Sequence, residues 1–189
     1  MPSPQKAKGS GFEREIAKYL SETYGESFIR APGSGAYIGG KNQNRTQILH
    51  EGQIRSFKGD IVPGESFPKF NAECKFYSDF AFHLLLTGEH KVIDGWLQQL
   101  LDVADVGDCN ILFMKFNRIG KYVAVQCHLT WITDNFIFYA SKKVGDWYII
   151  EFEHFMAHNK NLLKAYSGNT NTLGTSDTTS SNTILTIDI

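Results

Sequence analysis

The clearest element in the pattern of apolar and polar positions is a strand over residues 68–77. Its residues alternate between the two classes, and a period of two indicates a strand with one apolar and one polar face. The apolar face comprises Phe70, Ala72, Cys74 and Phe76. The polar face comprises Asn71, Glu73, Lys75 and Tyr77. The pattern therefore places Glu73 and Lys75 on the same side of the strand, about 7 Å apart.

Other segments follow the spacing of helices or further strands. Apolar residues at helical spacing predict helices over residues 10–24, 89–106 and 153–166. Ser10 is the expected N-cap of the first helix, because Glu13 follows three residues later as in a capping box. Strands are predicted at 27–30, 59–63, 109–116, 122–129, 136–140 and 147–152. This order of elements predicts an α/β fold with a central mixed β-sheet flanked by helices.

A single domain with loose ends and one long loop accounts for the 189 residues. Residues 1–8 are polar and contain prolines, so we expect a flexible N-terminus before a domain at 9–166. Within this domain, residues 36–58 are rich in Gly, Asn and Gln, which predicts a long insertion loop. Residues 167–189 are a low-complexity segment, and we expect a disordered tail in which residues 184–188 could add an edge strand.

Charge is distributed unevenly along the chain, although the net formal charge is only −1. Residues 1–58 hold nine Lys or Arg and five Glu, an excess that permits a local basic face for nucleic acid. The three cysteines lack zinc-site spacing, and the glycines of the insertion do not form a nucleotide-binding P-loop. The missing P-loop leads us to expect no nucleotide cofactor. Since the sequence shows no apolar run long enough for a membrane span and no signal peptide, we expect a cytoplasmic protein.

The polar residues Asp60, Glu73 and Lys75 are the candidates for chemistry. If the strands at 59–63 and 68–77 pair as a hairpin, two carboxylates converge with one ammonium. Such a group suits phosphodiester hydrolysis, because two hard oxygen ligands can hold Mg²⁺ while the lysine orients water or neutralises the phosphorane. Glu13 borders the apolar stripe of the first helix and is the candidate third carboxylate.

Each of these residues also has an ordinary structural interpretation. Alternating Glu73 and Lys75 are typical of the solvated face of an antiparallel sheet with a cross-strand ion pair. Glu13 alone fits a solvated or capping position better than a catalytic one. The residue pattern by itself therefore leaves the nuclease and the structural interpretations open.

Four motifs in order along the chain resemble those of archaeal-type Holliday junction resolvases, a family of the PD-(D/E)XK nuclease superfamily. KGSGFERE at 8–15 is similar to the family's KGxxxERE opening, and FIRAPGSG at 28–35 is similar to its VVRSAGSG stretch. DIV at 60–62 together with ECK at 73–75 forms the third motif in the same order, and ILFMKF at 111–116, the fourth, resembles the family's next strand. The likeness covers roughly residues 6–127 and is that of a viral or bacterial relative.

The resemblance implies a PD-(D/E)XK restriction-endonuclease-like fold, a homodimer and Mg²⁺-dependent cleavage of branched DNA. Carried over by position, the catalytic residues are Glu13, Asp60, Glu73 and Lys75. Asp60, Glu73 and the backbone carbonyl of Cys74 would bind Mg²⁺, for which Mn²⁺ is expected to substitute. Glu13 would bind the ion directly or through a water.

A further set of residues is expected to contact DNA. By the resemblance, Arg14, Arg30 and Ser34 lie near the scissile phosphate, and guanidinium groups bind phosphate oxygens well. The lysines and arginines expected on the phosphate backbone are Lys8, Lys41, Arg45, Arg55 and Lys58, although an ordinary solvated loop explains those of the insertion equally well. Gln99, on the flank of the predicted second helix, is a further candidate site residue.

The sequence thus favours a structure-selective endonuclease that resolves Holliday junctions or other branched DNA in recombination or replication. Two alternatives remain open: a Mrr- or RecB-like nuclease acting on duplex or single-stranded DNA, and a non-catalytic DNA-binding protein with a nuclease fold. The four intact catalytic positions argue against the second of these. The long insertion, and the lack of a counterpart after about residue 130, set the chain apart from the compact archaeal enzymes.

Overall fold

The structure, a computed structural model, describes residues 4–32, 58–78, 80–88 and 90–168 of the chain. The insertion loop predicted at 36–58, apart from Lys58, lies outside this description, and so does the predicted tail from residue 169 onward. None of the described helices is both long and apolar enough to span a lipid bilayer.

The described part of the chain folds into three α-helices, one short 3-10 helix and seven strands. The helices are α1 (Pro4–Tyr24), α2 (Lys91–Leu101) and α3 (Phe152–Ser167), and the 3-10 helix is Phe82–Thr87. The strands are β1 (Ile29–Arg30), β2 (Ile61–Val62), β3 (Phe70–Tyr77), β4 (Cys109–Phe116), β5 (Gly120–Gln126), β6 (Ile137–Ser141) and β7 (Gly145–Glu151). Each strand predicted before residue 167 is present, with bounds within three residues of the prediction.

Five of the strands form one mixed sheet in the order β3-β4-β5-β7-β6. β3 and β4 are parallel and are joined through α2, which crosses one face of the sheet. The other neighbouring strands are antiparallel. β1 and β2 form a separate antiparallel pair beside β3, with Arg30 opposite Ile61. The predicted α/β fold, a central mixed sheet flanked by helices, is confirmed.

Apolar packing on both faces of the sheet decides which side of β3 points toward which helix. The apolar residues of β3 pack in one cluster with residues of α1 and α3. The opposite face of the sheet packs in a second cluster with the buried residues of α2. Between the two clusters, residues 111–114 of β4 are fully buried, as their continuous apolar run predicted. The polar residues of β3 therefore face α2.

The first helix begins at Pro4, six residues before the predicted start at Ser10. Proline suits the first turn of a helix, because its fixed φ matches the helix and its missing N–H would have no partner there. Ser10 lies inside the helix, where its hydroxyl donates to the carbonyl of Ala7 at 3.2 Å. The capping interpretation of Ser10 and Glu13 is therefore wrong, and residues 4–8, which we expected to be flexible, are helical.

Gly59 brings the backbone against β3 immediately before Asp60. Its φ of +69° lies in the left-handed region that favours glycine, and a Cβ at this position would lie 2.4 Å from the carbonyl oxygen of Ala72. Asp60 donates its backbone N–H to that same carbonyl at 2.8 Å. Only glycine lets the chain come this close, so Gly59 determines how Asp60 is placed beside the strand.

We expect Gly59→Ala to lower the free energy of unfolding by on the order of 3 kcal/mol, because the methyl group collides with backbone and the left-handed φ is strained. Gly25→Ala is the matched control, since Gly25 has a φ of +67° but an added Cβ there meets no described atom within 4 Å. Gly25→Ala should lower the free energy of unfolding by only about 1 kcal/mol, because it introduces backbone strain without a collision. Urea unfolding measures both, and equal losses would show that the close approach is not a steric requirement.

Candidate active site

Asp60 is held beside β3 by two hydrogen bonds. Its backbone N–H donates to the carbonyl of Ala72 at 2.8 Å, and its carboxylate Oδ2 accepts from the backbone N–H of Cys74 at 2.8 Å. Asp60 is only 4% exposed, and its carboxyl group is near enough to that of Glu73 to raise the pKa of Glu73. The predicted hairpin is wrong, since β2 pairs with β1 rather than with β3. The two carboxyl groups meet because the Gly59–Asp60 segment, rather than a ladder between β2 and β3, is hydrogen-bonded to β3.

Glu73, Lys75 and Gln99 form a closed triangle of hydrogen bonds on the α2 side of β3. The ammonium Nζ of Lys75 donates to Oε1 of Glu73 at 2.6 Å and to Oε1 of Gln99 at 2.8 Å. The amide Nε2 of Gln99 in turn donates to Oε1 of Glu73 at 2.6 Å. The two strand residues share a face, as their alternation predicted, and the candidate Gln99 reaches both from α2.

This triangle is not a solvated surface pair. Glu73 lies under α2 with 2% of its surface exposed, whereas the side chain of Lys75 is 20% exposed. The strand beside it, β4, is parallel to β3, so the antiparallel cross-strand ion pair of the ordinary interpretation does not apply. Within the triangle, the carboxylate of Glu73 is therefore buried, whereas the ammonium of Lys75 reaches solvent.

Glu13 comes from α1 and is paired with an arginine of β1. Nε of Arg30 donates to Oε2 of Glu13 in a hydrogen bond that is also an ion pair. Burial and, second, the charge of Asp60 raise the pKa of the Glu13 carboxyl, while Arg30 and Lys75 oppose the rise. Glu13 thus belongs to the same electrostatic neighbourhood as Asp60 and Lys75, and Arg30, expected near the scissile phosphate, here neutralises a carboxylate.

Burial and the proximity of Asp60 disfavour the charged form of Glu73. Burial has the larger effect and the negative charge of Asp60 the second, and together they raise the pKa of Glu73 to about 7 in spite of Lys75. Clustered, buried carboxyl groups with a raised pKa are typical of functional sites.

The oxygen donors of this site fit a hard divalent cation. Mg²⁺ is held by one or two carboxylates and otherwise keeps water or phosphate oxygens, and Asp60 and Glu73 offer two adjacent carboxyl groups. The carbonyl of Cys74 points to the same strand edge as its N–H, which bonds Asp60. Among the described residues, no group of three or more His, Cys, Asp or Glu side chains is arranged to hold a metal. The carboxylates placed to bind a cation are therefore those of Asp60 and Glu73, because the carboxylate of Glu13 is paired with Arg30.

The residues expected to contact DNA are only partly described. Lys8 and Arg14 are exposed on α1, while Arg30 binds Glu13. Ser34, Lys41, Arg45 and Arg55 lie outside the described residues.

Lys58 has a different environment from the one expected of a DNA-binding lysine. It is buried, and its ammonium forms ion pairs with Asp105, at 2.8 Å, and with Asp108. These contacts tie the chain just before Gly59 to the turn that precedes β4, so they favour a structural role for Lys58 over contact with DNA. The two aspartates were not singled out from the sequence, where they are ordinary polar residues of a turn.

Asn71 supports the site, a role that its place in the sequence does not indicate. It is fully buried two positions before Glu73, and its Nδ2 donates to the carbonyl of Leu100 at 3.0 Å and to Oδ1 of Asn110 at 2.7 Å. Leu100 follows Gln99, so this bond fixes the end of α2 next to the triangle. The strand alternation does place Asn71 on the polar face, and only the packing of α2 shows that this position is buried.

Comparison with known proteins gives one match. A family model described as "Phage putative PDDEXK endonuclease" matches residues 4–165, a range that contains every described residue of the site. Searches of curated proteins and of solved structures gave no match. The five-stranded mixed sheet between helices is consistent with a nuclease fold of this type.

Glu73→Gln should stabilise the metal-free protein above about pH 7, because it removes a carboxylate that is costly to ionise when buried. A pKa raised from 4.5 to about 7 means that the folded state retains a proton that the unfolded state releases, so wild-type stability falls as the pH rises between these values. The free energy of unfolding of Glu73→Gln should exceed that of wild type by up to about 3 kcal/mol at pH 8 and by close to zero at pH 4.5. Chemical unfolding in EDTA at both pH values measures it.

Glu22→Gln is the control for this comparison, because Glu22 is an exposed surface partner of Lys18. It should leave the free energy of unfolding unchanged at both pH values. A Glu73→Gln variant that is no more stable than wild type at pH 8 would show that the ionised carboxylate is accommodated without cost.

Proposed function

The chain belongs to the phage PDDEXK endonuclease family, and we propose that it is a Mg²⁺-dependent endonuclease that cleaves branched DNA, with the Holliday junction as its preferred substrate. Nuclease chemistry follows from the family, whereas the metal ion, the branched substrate and the roles of individual residues are the proposal. The observation that carries it is the triangle of Glu73, Lys75 and Gln99 next to Asp60.

Lys75 supplies the positive charge that phosphoryl chemistry requires. Among the described residues, two acceptors engage its ammonium, Glu73 and Gln99, and an ammonium has three N–H donors. The remaining donor can bind a phosphoryl oxygen or a water, and the partial exposure of the side chain lets DNA reach it. An ammonium fixed in this way stabilises the negative charge that develops on the phosphoryl group in the transition state.

Gln99 acts through its two neighbours and is a positioning residue. Its amide nitrogen donates to Glu73 and its amide oxygen accepts from Lys75, so both ends of the amide are used. This orientation holds the carboxylate and the ammonium at a fixed separation on β3. The bond from Asn71 to the carbonyl of Leu100 holds the helix end from which Gln99 projects.

Asp60 and Glu73, with the carbonyl of Cys74, are the groups that would hold Mg²⁺ or, in its place, Mn²⁺. When bound, such an ion supplies Lewis acidity, which stabilises negative charge on a phosphoryl group and makes water more acidic. The ligand side chains are oriented in advance, Asp60 by the backbone of Cys74 and Glu73 by Lys75. Preorganised ligands of this kind lower the cost of reaching the reactive arrangement.

The likeness of four successive motifs to archaeal-type Holliday junction resolvases supports a branched substrate. A junction presents pairs of equivalent strands, so we also propose a homodimer whose two-fold axis relates two identical sites. A nuclease acting on duplex or single-stranded DNA is the second candidate, because the same four residues serve the same chemistry there. A non-catalytic DNA-binding role is less well supported, since the carboxylates and the lysine are all present and in contact.

Lys75→Ala and Asp60→Asn should each slow Mg²⁺-dependent cleavage by on the order of 100- to 10,000-fold, because the first removes the positive charge beside the reacting phosphate and the second removes an anionic ligand of the proposed metal ion. Lys18→Ala is the matched control, a lysine exposed on α1 and paired only with Glu22 among the described residues. It should cleave at the wild-type rate. Single-turnover cleavage of a labelled four-way junction measures all three, with circular dichroism to confirm folding, and undiminished cleavage by either test variant would remove that residue from the active site.

In Mg²⁺, the wild-type protein should cleave a four-way junction at least about 10-fold faster than a linear duplex of the same arm sequences, a difference of about 1.4 kcal/mol in activation free energy. Flap and single-stranded substrates complete the panel, and Glu73→Gln serves as the inactive control. Equal rates on the junction and on the linear duplex contradict the junction preference and favour the second candidate.

A further inference from the structure

An aromatic pair, Tyr77 and Trp96, lies next to the catalytic triangle and takes no part in the proposed chemistry. Tyr77 is two residues beyond Lys75 on the same face of β3, about 7 Å further along the strand. Trp96 is three residues before Gln99 on α2, and residues at this spacing are neighbours on one face of a helix. The pair therefore extends the two rows of side chains from which the triangle is built.

The pair has one exposed ring on a rigid, buried support. Tyr77 and Trp96 are in edge-to-face contact, with ring centroids 5.6 Å apart and an interplanar angle of 64°. Behind them Phe80 stacks on Phe116 at 4.4 Å, and the ring of Trp96 is within 30° of parallel to both. Phe80 and Phe116 are buried, whereas Tyr77 is 42% exposed. The exposed ring of Tyr77 is thus held edge-to-face against a stack of rings that belongs to the core.

The group that such a ring recognises beside a phosphate-binding lysine is a nucleobase. Every base has a π-face that can stack on an aromatic side chain, whatever the sequence. In a paired duplex both faces of a base are covered by its neighbours, so only a base freed from the stack can contact the ring. The separation of about 7 Å between Lys75 and Tyr77 corresponds to about two stacked steps of one DNA strand, or fewer when the strand is extended.

We infer that Tyr77 and Trp96 form a base-stacking platform that binds an unstacked nucleobase beside the scissile phosphate, so that the protein selects DNA in which a base at the cleavage site can leave the stack. Tyr77 contacts the base, and Trp96 is the positioning residue that holds the tyrosine ring. This inference rests on the proposed nuclease function. It adds the feature that is read in the substrate, an interrupted base stack. Flaps and single strands carry unpaired bases, a four-way junction breaks the stack at its branch point although its bases are paired, and linear duplex is stacked throughout.

Binding of DNA that carries the fluorescent base 2-aminopurine at successive unpaired positions of a flap tests the platform directly, with Ca²⁺ in place of Mg²⁺ to limit cleavage. Stacking on Tyr77 should quench the fluorescence at one position. Tyr77→Ala should abolish this quenching and weaken flap binding by about 10- to 100-fold, the contribution of one stacked base. Tyr77→Phe should retain both, because it keeps the ring. Trp96→Ala should weaken the quenching, since the tyrosine ring loses its support.

Phe138→Ala is the matched control, because Phe138 is an exposed aromatic residue of β6, the strand at the opposite end of the sheet. It should leave flap binding and quenching unchanged. Linear duplex is the matched ligand, and Tyr77→Ala should bind it like wild type. A Tyr77→Ala variant that binds flap and duplex with equal losses, or that leaves the quenching intact, overturns the platform.

A cleavage assay on the same flap separates this inference from the proposed function. Cleavage by wild type without any Tyr77-dependent quenching overturns the platform and leaves the nuclease proposal standing. Tyr77-dependent quenching without cleavage of either the flap or the four-way junction in Mg²⁺ or Mn²⁺ supports base stacking and overturns the nuclease proposal.

Discussion

The attachment of Asp60 to the outer edge of β3 is the interaction on which the rest of the site depends. β3 is the terminal strand of the sheet, so the backbone groups on its free side have no strand partner there. Asp60 engages two of these groups, the carbonyl of Ala72 through its backbone and the N–H of Cys74 through its carboxylate. The two hydrogen bonds that cover the edge of β3 also bring the carboxyl group of Asp60 to that of Glu73. The same contacts therefore end the sheet and assemble the site.

Two of the three carboxylates of the site are each paired with a basic side chain. Glu13 of α1 is matched by Arg30 of β1, and Glu73 of β3 is matched by Lys75. The matching is incomplete, because burial and Asp60 still raise the pKa of both glutamates. A buried excess of negative charge opposes folding, and the two apolar clusters on either side of the sheet offset it. Such an excess is the electrostatic condition under which a cation or a protonated partner binds well.

Local patterns predicted the elements of the fold, and they predicted contacts within one element better than contacts between elements. The shared face of Glu73 and Lys75 follows from a two-residue period, and the buried strand β4 follows from a continuous apolar run. The hairpin was wrong because which strands pair is decided by the whole sheet, in which β4 rather than β2 lies beside β3. The burial of Lys58 and the support from Asn71 depend on elements distant in sequence, so no local pattern indicates them.

The pairing of β1 with β2 has a consequence for how the chain can vary. The backbone N–H of Ala31 donates to the carbonyl of Asp60 at 2.8 Å, next to the hydrogen-bonded pair of β1 and β2, so these two positions, 29 residues apart in the chain, are held together by backbone hydrogen bonds. The entropy of closing a loop grows slowly with its length, by about 0.6 kcal/mol for each doubling. A change in the number of residues between Ala31 and Asp60 therefore costs little free energy, because the two ends stay joined by the same hydrogen bond. This part of the chain can thus vary in length and composition over evolution independently of the chemistry of Asp60 and Glu73.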